Sequence, residues 1–282
     1  MMENRKLTAE QRARFNRHLA EQELAKGTIQ KYDRDLTAFS VWMGDGEVSK
    51  ERASKWKEHL LEQGYAPVTV NSMLAAVNMF FKFMGWYDCC IKFLKIQRKM
   101  FRDQNRELTP DEFRKLVKTA EATGRNRQAM LLETMAATGI RVSEVQYITV
   151  EAALCGKAEI SLKGKIRTIL LSTKLCRKLL KYARKNKIAT GAIFLTRSGR
   201  MIQRKQIWAE MKRLCKAAGV EASKVFPHNL RHLFATAFYR ASRDIAKLAD
   251  VLGHSSVETT RIYLISTGAE HIRQLDRLGF VI

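Results

Sequence analysis

The sequence is short of acid. Its 282 residues carry 51 lysines and arginines against 28 aspartates and glutamates, a formal net charge of +23. An imbalance of this size says little about fold and much about partners, and a polyanion is the natural one. The chain also lacks any apolar run of the roughly 18 residues that a membrane span needs. An anionic membrane surface is therefore a weak rival to nucleic acid. The opening MMENRKLTAEQ does not read as a secretory leader. The five cysteines (Cys89, Cys90, Cys155, Cys176, Cys215) are odd in number and spaced neither as a zinc site nor as a disulfide framework. Free thiols in a reducing cytoplasm are the expectation, with Cys89 and Cys90 acting as small hydrophobes. Internal repeats and low-complexity stretches are absent. Only three prolines occur, and each opens a helical pattern.

What is present is enough apolar residue, 46%, for a sizeable core, in a length that suits one large domain or two ordinary ones. The first hundred residues read as four helices. Thr8 and Gln11 form a capping box ahead of Phe15 and Leu19. Thr28 opens a second helix, with Ile29, Tyr32, Leu36, Phe39 and Met43 at helical spacing and a Gly44-Asp45-Gly46 stop. Trp56, Leu60 and Leu61 mark a third, ending near Gly64. Val70, Leu74, Val77, Phe80 and Phe81 mark a fourth, behind Pro67. A basic stretch from Lys92 to Arg106 marks a boundary: residues 1–98 form a helical domain, 99–107 a linker, and 108–282 a second domain. That domain opens with a second capping box, Thr109 to Glu112, with Pro110 at the first helical position. Helical patterns run to Ala137. Ala158–Leu162 and Ile166–Leu171 read as two strands joined by Lys163-Gly164-Lys165. From Lys174 onward the pattern is helical again, with a basic run of Lys174, Arg177, Lys178, Lys181, Arg184, Lys185 and Lys187.

The stretch Val225 to Ser266, VFPHNLRHLFATAFYRASRDIAKLADVLGHSSVETTRIYLIS, holds the densest chemistry. His228 and Arg231, three apart, share a helix face behind Pro227. Leu230, Leu233, Phe234, Ala237 and Phe238 make the apolar stripe beside them. Ser242 is placed as the cap of the next helix, whose Ile245, Leu248, Val251 and Leu252 face the core, and Gly253 ends it. His254 then lies just past a helix end. Ser256 caps a last helix that carries Tyr263 in its second turn. Upstream, Arg141 stands in ATGIRVSE. Cleaving a phosphodiester without a metal needs cations to meet the charge on the non-bridging oxygens, a nucleophile in line, and a proton for the leaving oxygen. Two arginines, two histidines and a tyrosine are the residue types for that task, because a guanidinium fork stays charged and holds phosphate by two hydrogen bonds.

With ATGIRVSEV at Ala137–Val145, HNLRHLFAT at His228–Thr236, LGHSSVETTRIY at Leu252–Tyr263 and a basic turn at Lys163, the chain resembles the tyrosine recombinases of the integrase family. The likeness covers the whole second domain and, with weaker motifs, the first. It implies a mainly α, two-domain, C-shaped clamp: a SAM-like core-binding domain and a mixed α/β catalytic domain with a small antiparallel sheet. It implies Tyr263 as the nucleophile, making a 3′-phosphotyrosyl bond and releasing a 5′ hydroxyl. Arg141 and Arg231 become the phosphate clamp. His228 is a proton acceptor or phosphate donor, His254 a phosphate contact, and Glu144 an orienting acid. Lys163 is the general acid, with Lys165 as its rival. The covalent link conserves bond energy, so neither ATP nor a metal or other cofactor is implied. His232 is read as structural.

The implied partner is double-stranded DNA at recombination sites, met by a monomer in solution that becomes a homotetramer on two sites. The implied location is the cytoplasm, on the nucleoid. Beyond Tyr263, the residues Ile265, Ile272, Leu275, Leu278, Phe280, Val281 and Ile282 suggest a tail that docks on a neighbouring protomer. Two alternatives stay open: a type IB topoisomerase-like enzyme, and a catalytically silent DNA-binding relative.

Overall fold

The computed structural model describes residues 5–96, 106–162, 165–263 and 276–278, with only the backbone at 162, 165 and 166. The chain divides into two units, Met1–Arg98 and Lys99–Ile282. Among the described residues no helix is long and apolar enough to cross a membrane.

Unit one is four helices, α1 (Ala9–Glu21), α2 (Lys26–Met43), α3 (Lys50–Glu62) and α4 (Pro67–Phe83). The capping box of Thr8 and Gln11 forms on α1. α2 begins two residues before the Thr28 start read from the sequence. Its N-cap is Ala25, with no side-chain cap, so the start carries no local signal. Phe15, Leu36, Phe39, Trp56, Leu74, Val77, Phe80 and Phe81 are fully or almost fully buried. Edge-on rings lock them: Phe15 to Phe80 at 5.5 Å and Phe39 to Trp56 at 4.9 Å. Of the three residues that mark α3, Trp56 and Leu60 are buried and Leu61 is 40% exposed. Two asparagines seven residues apart on α4 hold the chain that leaves the unit. Asn78 exchanges two hydrogen bonds with the backbone of Ile91 (2.7 and 2.8 Å), and Asn71 does the same with Leu94 (2.8 and 2.9 Å).

Unit two begins with α5 (Pro110–Ala122) and α6 (Asn126–Thr138), the first behind its Thr109–Glu112 capping box. A short 3-10 turn spans Val142–Tyr147, and α7 (Val150–Cys155) leads into the hairpin of β1 (Lys157–Leu162) and β2 (Lys165–Leu170). The strands are antiparallel, with Leu162 opposite Lys165 and Ile160 opposite Arg167. Lys165 is therefore a strand residue rather than part of the connection, while Lys163 and Gly164 lie outside the described residues. α8 (Thr173–Lys185) buries Leu175, Cys176, Leu179 and Ala183 and leaves its lysines and arginines exposed, Lys178 pairing with Glu133 at 2.5 Å. The helical pattern then breaks. Residues 186–203 carry two isolated β-bridges, Thr149 to Ala192 and Leu195 to Met201, before α9 (Arg204–Ala218).

The last helices are α10 (Pro227–Ser242), α11 (Ile245–Leu252) and α12 (Val257–Arg261). The cap of α11 is Asp244, whose carboxylate takes the Lys247 N–H at 2.9 Å. Ser242 instead ends α10, because Arg243 turns left-handed (φ 54°). The apolar stripe of α10 also differs from its reading. Leu230, Arg231 and Ala235 are buried, Leu233, Phe234 and Phe238 are half-buried, and Ala237 is exposed. These last four line a groove of ≈ 360 Å³ with Pro110, Phe113, Arg114 and Ala136.

Candidate active site

Arg231 is the centre of the site, and it is 96% buried, being 4% exposed. A charge so deep needs partners. Its Nη1 donates to Gly139 O at 2.5 Å and its Nη2 to Leu252 O at 2.8 Å. Both carbonyls belong to helix C-termini: Gly139 is the cap of α6 and Leu252 is the last residue of α11. Helix ends leave carbonyls without intrahelical donors and concentrate partial negative charge there. Two such ends aimed at one guanidinium offset its desolvation, which still pulls its pKa below the ordinary arginine value. The α6 end depends on glycine. Gly139 lies at φ +60°, and a Cβ there would come 2.4 Å from the Phe234 ring.

Tyr263 meets this cation. Arg231 Nε donates to its hydroxyl at 3.4 Å. The ring is 4% exposed and belongs to a small core with Ala235, Leu248 and Leu252. It lies edge-on to His232 at 4.8 Å, parallel to His254 at 5.9 Å, and 6.1 Å from the ring of His228. α12 ends at Arg261, so Tyr263 is not in the second turn of that helix. It follows the C-cap, its N–H bonded to Thr260 O at 3.0 Å.

His254 has a tautomer that its neighbours dictate. Arginine only donates, so the contact of Arg231 Nη2 with His254 Nε2 at 2.9 Å makes Nε2 an acceptor. The proton then lies on Nδ1, which donates to Thr260 Oγ1 at 2.8 Å. Burial first, then Arg231, Arg141, Arg167 and His228, push the imidazole down to about 4 from its ordinary 6.5. The unfolded chain therefore takes up this proton near pH 6.5 while the folded chain resists until about 4. The His254 contribution to stability is intact above pH 6.5 and is lost as pH falls through that window. Expected: His254→Gln, which keeps an acceptor for Arg231, shows a smaller fall in melting temperature between pH 7 and 4.5 than the wild type. Equal slopes in a pH series of thermal melts would remove His254 from the explanation.

Arg141 is held differently. Its N–H donates to Glu144 Oε2 and its Nη1 to Glu144 Oε1, both at 2.9 Å. Its side chain remains 42% exposed, whereas that of Glu144 is 5% exposed. The carboxylate is thus used inward and the arginine fork is left open outward. Lys163 lies outside the described residues, and Lys165 is placed only as the first residue of β2.

Two contributors escaped the sequence reading. Thr260, fully buried, is the partner that sets the His254 ring. Arg167 reaches Glu144 from β2, Nη1 to Oε2 at 3.6 Å, and is pushed down to about 10, chiefly by burial. Strand alternation could have found it: Arg167 shares the face of Ile169, and Ile160 opposes it, and both isoleucines are 2% exposed. Among the described residues the site thus sets three guanidinium groups, Arg141, Arg167 and Arg231, against one carboxylate. Such a cluster favours an anion, and the Tyr263 hydroxyl stands 3.4 Å from one of its cations.

Comparison with known proteins places the chain in a family and a fold. Residues 106–270 match the phage integrase family, and residues 13–86 match the phage integrase N-terminal SAM-like domain. The tyrosine recombinase XerC of Roseiflexus castenholzii is 31% identical over 284 residues, 90% of this chain and 88% of that protein. XerD of Xanthomonas axonopodis pv. citri is 26% identical over 295 residues, 93% of each. Among solved structures, a lambda integrase (75–356) dimer bound to a COC′ core site has TM-score 0.73 at 16% identity, covering 91% of this chain and 94% of that one. XerH bound to difH substrate in a pre-cleavage complex has TM-score 0.67 at 17% identity, covering 95% and 84%. At these identities the solved structures establish a shared fold.

Proposed function

The chain belongs to the phage integrase family, the tyrosine recombinases, and from that premise we propose how its residues divide the work of breaking and rejoining DNA. The enzyme is a site-specific recombinase, and its substrate is duplex DNA. The observation that carries the residue assignment is the Tyr263 hydroxyl within reach of a buried arginine, in a cluster of guanidinium groups.

Tyr263 Oη attacks the phosphorus, and the bond to the 5′ oxygen breaks. The phenol proton goes to His228. Arg141 and Arg231 take the charge that grows on the non-bridging oxygens, with His254 beside them. Lys163 of the hairpin turn supplies the proton to the leaving 5′ oxygen, with Lys165 as the second candidate. Glu144 orients Arg141. The product is a 3′-phosphotyrosyl link and a free 5′ hydroxyl. A 5′ hydroxyl of the partner strand then attacks that link, Tyr263 leaves, and one phosphodiester has replaced another. The number of phosphoester bonds is unchanged, so no ATP is consumed. Residues 1–98 serve as the core-binding domain, 99–107 as the linker, and 108–282 as the catalytic domain. The basic face of α8 and the linker meet phosphates, which position the protein without reading sequence. Its setting is the cytoplasm, on nucleoid DNA.

A nicked suicide half-site tests the chemistry, because loss of the short 5′ strand traps the covalent adduct. An adduct on the 3′ phosphate that forms only on DNA carrying a specific site supports the reading. Relaxation of plasmids lacking any such site would favour a topoisomerase-like activity instead.

The assembly we propose is a monomer in solution and a homotetramer on two DNA sites, built by docking the apolar tail past Tyr263 into a second protomer. Apart from Leu278, which is 57% exposed, the apolar tail residues lie outside the described residues. The groove along α10 supports this reading, since half-buried Phe113, Leu233, Phe234 and Phe238 line it with exposed Ala237. Truncation after Ser266 is expected to leave binding of single sites intact and to abolish the tetramer in size-resolved complexes. A truncated protein that still paired two sites would sink the trans arrangement.

A further inference from the structure

Arg167 is a buried cation with no role in the scheme above. It stands third in β2, on the face that Ile160 and Ile169 press into the core. Its side chain is 10% exposed. Nη1 lies 3.6 Å from Glu144 Oε2, an ion pair beyond hydrogen-bond length. Nη2 lies 3.5 Å from Val251 O, near the C-terminus of α11. Nε and Nη1 are buried without a hydrogen-bond partner among the described residues. The stem passes under Gly253, where a Cβ would come 2.4 Å from Cδ. One side chain therefore touches three things: the hairpin it grows from, the carboxylate that holds Arg141, and the turn that delivers His254.

The arrangement is unfavourable taken alone. Burial opposes the charge, and Arg141 and Arg231 repel it, while Glu144 alone attracts it. A buried cation with unmet donors costs stability, so its presence points to a role other than stabilising the fold. What it constrains is Glu144. That carboxylate spends Oε1 on the Arg141 fork and Oε2 on the Arg141 N–H, and Arg167 Nη1 adds a second positive group 3.6 Å from Oε2. Gly253 has a left-handed φ of 63°, and with no Cβ it leaves room for the Arg167 stem beneath it.

We propose that Arg167 is a positioning residue for strand cleavage: it fixes Glu144, and through it the Arg141 fork, while propping the Gly253–His254 turn. The proposal rests on the reading of Arg141 as a phosphate clamp. It does not make Arg167 a phosphate ligand, since the residue acts through Glu144 and the turn.

The test is single-turnover cleavage of the suicide half-site at saturating protein, beside the Kd for the same DNA. Arg167→Gln is expected to slow cleavage about tenfold or more, the range of coupling between contacting residues, with Kd unchanged. In a Glu144→Gln background the same change is expected to cost less than about twofold, because the route is already cut. Arg167→Lys keeps the buried charge and guards against simple unfolding. One ammonium cannot span both Glu144 and Val251 O, so cleavage about threefold below wild type is expected. Losses that multiply independently in the double variant, a loss confined to Kd, or a wild-type rate from Arg167→Lys would each overturn the proposal. Arg141→Lys is the control for the reading beneath it. If that variant cleaves normally, the clamp assignment fails. If it is slow while the Arg167 variants are normal, only the present proposal fails.

Discussion

Tyr263→Phe is expected to bind its DNA site with close to wild-type affinity and to form no covalent adduct. The substitution removes one oxygen and nothing else. Among the described residues that oxygen accepts one long hydrogen bond, 3.4 Å from Arg231 Nε. Losing it costs well under about 1 kcal/mol of stability, the order of an ordinary net hydrogen bond. The ring keeps its packing: His232 edge-on, His254 in parallel, Leu248 and Leu252 beneath. Arg231 keeps its contacts with Gly139, Leu252 and His254. The phosphate clamp should therefore stand intact around a site without a nucleophile. Deleting the nucleophile of a covalent mechanism costs at least about 10⁴-fold, because the remaining groups cannot supply the missing bond. Denaturing gels of the trapped half-site read the adduct, and gel shifts read binding. An adduct that survives Tyr263→Phe would move the nucleophile elsewhere. Loss of binding along with the adduct would mean that the hydroxyl organises the cleft rather than attacks.

How far the sequence showed all this depends on whether a residue acts locally or across the fold. The capping boxes at Thr8 and Thr109 were legible because cap and acceptor lie three residues apart. The two-strand hairpin and the breaks at Gly139 and Gly253 were legible for the same reason. The start of α2 was not, because Ala25 offers no side chain to mark it. Ser242 looked like a cap and was displaced by Asp244 once Arg243 closed α10 in a left-handed turn. At the site, Tyr263, Arg231, His254, Arg141 and Glu144 lie together; the first four were singled out by residue type and spacing, Glu144 only by the family resemblance. Their partners were hidden. Nothing in the sequence around Arg231 shows that two helix C-termini converge on it, since Gly139 and Leu252 lie 92 and 21 positions away. That convergence is also why the apolar stripe of α10 was misread: the arginine takes an inward position that a hydrophobe would otherwise fill, and Ala237 is turned outward.

Arg231 yields the second large effect. Arg231→Lys is expected to retain DNA binding but lose about 10²- to 10³-fold in cleavage rate, the scale of one lost transition-state donor. The guanidinium uses Nη1 for Gly139 O, Nη2 for Leu252 O and His254, and Nε for Tyr263. An ammonium is a point charge with three donors on one atom and cannot cover sites that lie on opposite sides of a planar fork. It keeps the charge that the two helix ends demand, so folding is expected to survive. Arg231→Ala differs in kind. It leaves the carbonyls of Gly139 and Leu252, His254 Nε2 and the Tyr263 hydroxyl facing a cavity. Breaking a buried charged network in this way costs about 3–5 kcal/mol, so the melting temperature should fall as well as the rate. The pair of variants separates the two duties of the residue. Thermal melts report the helix-end contacts, and single-turnover cleavage reports the clamp. If Arg231→Lys cleaved at the wild-type rate, charge alone would suffice and the fork geometry would carry no catalytic weight. If Arg231→Ala melted as the wild type does, the two helix C-termini would not depend on this cation, and the account of its burial would be wrong.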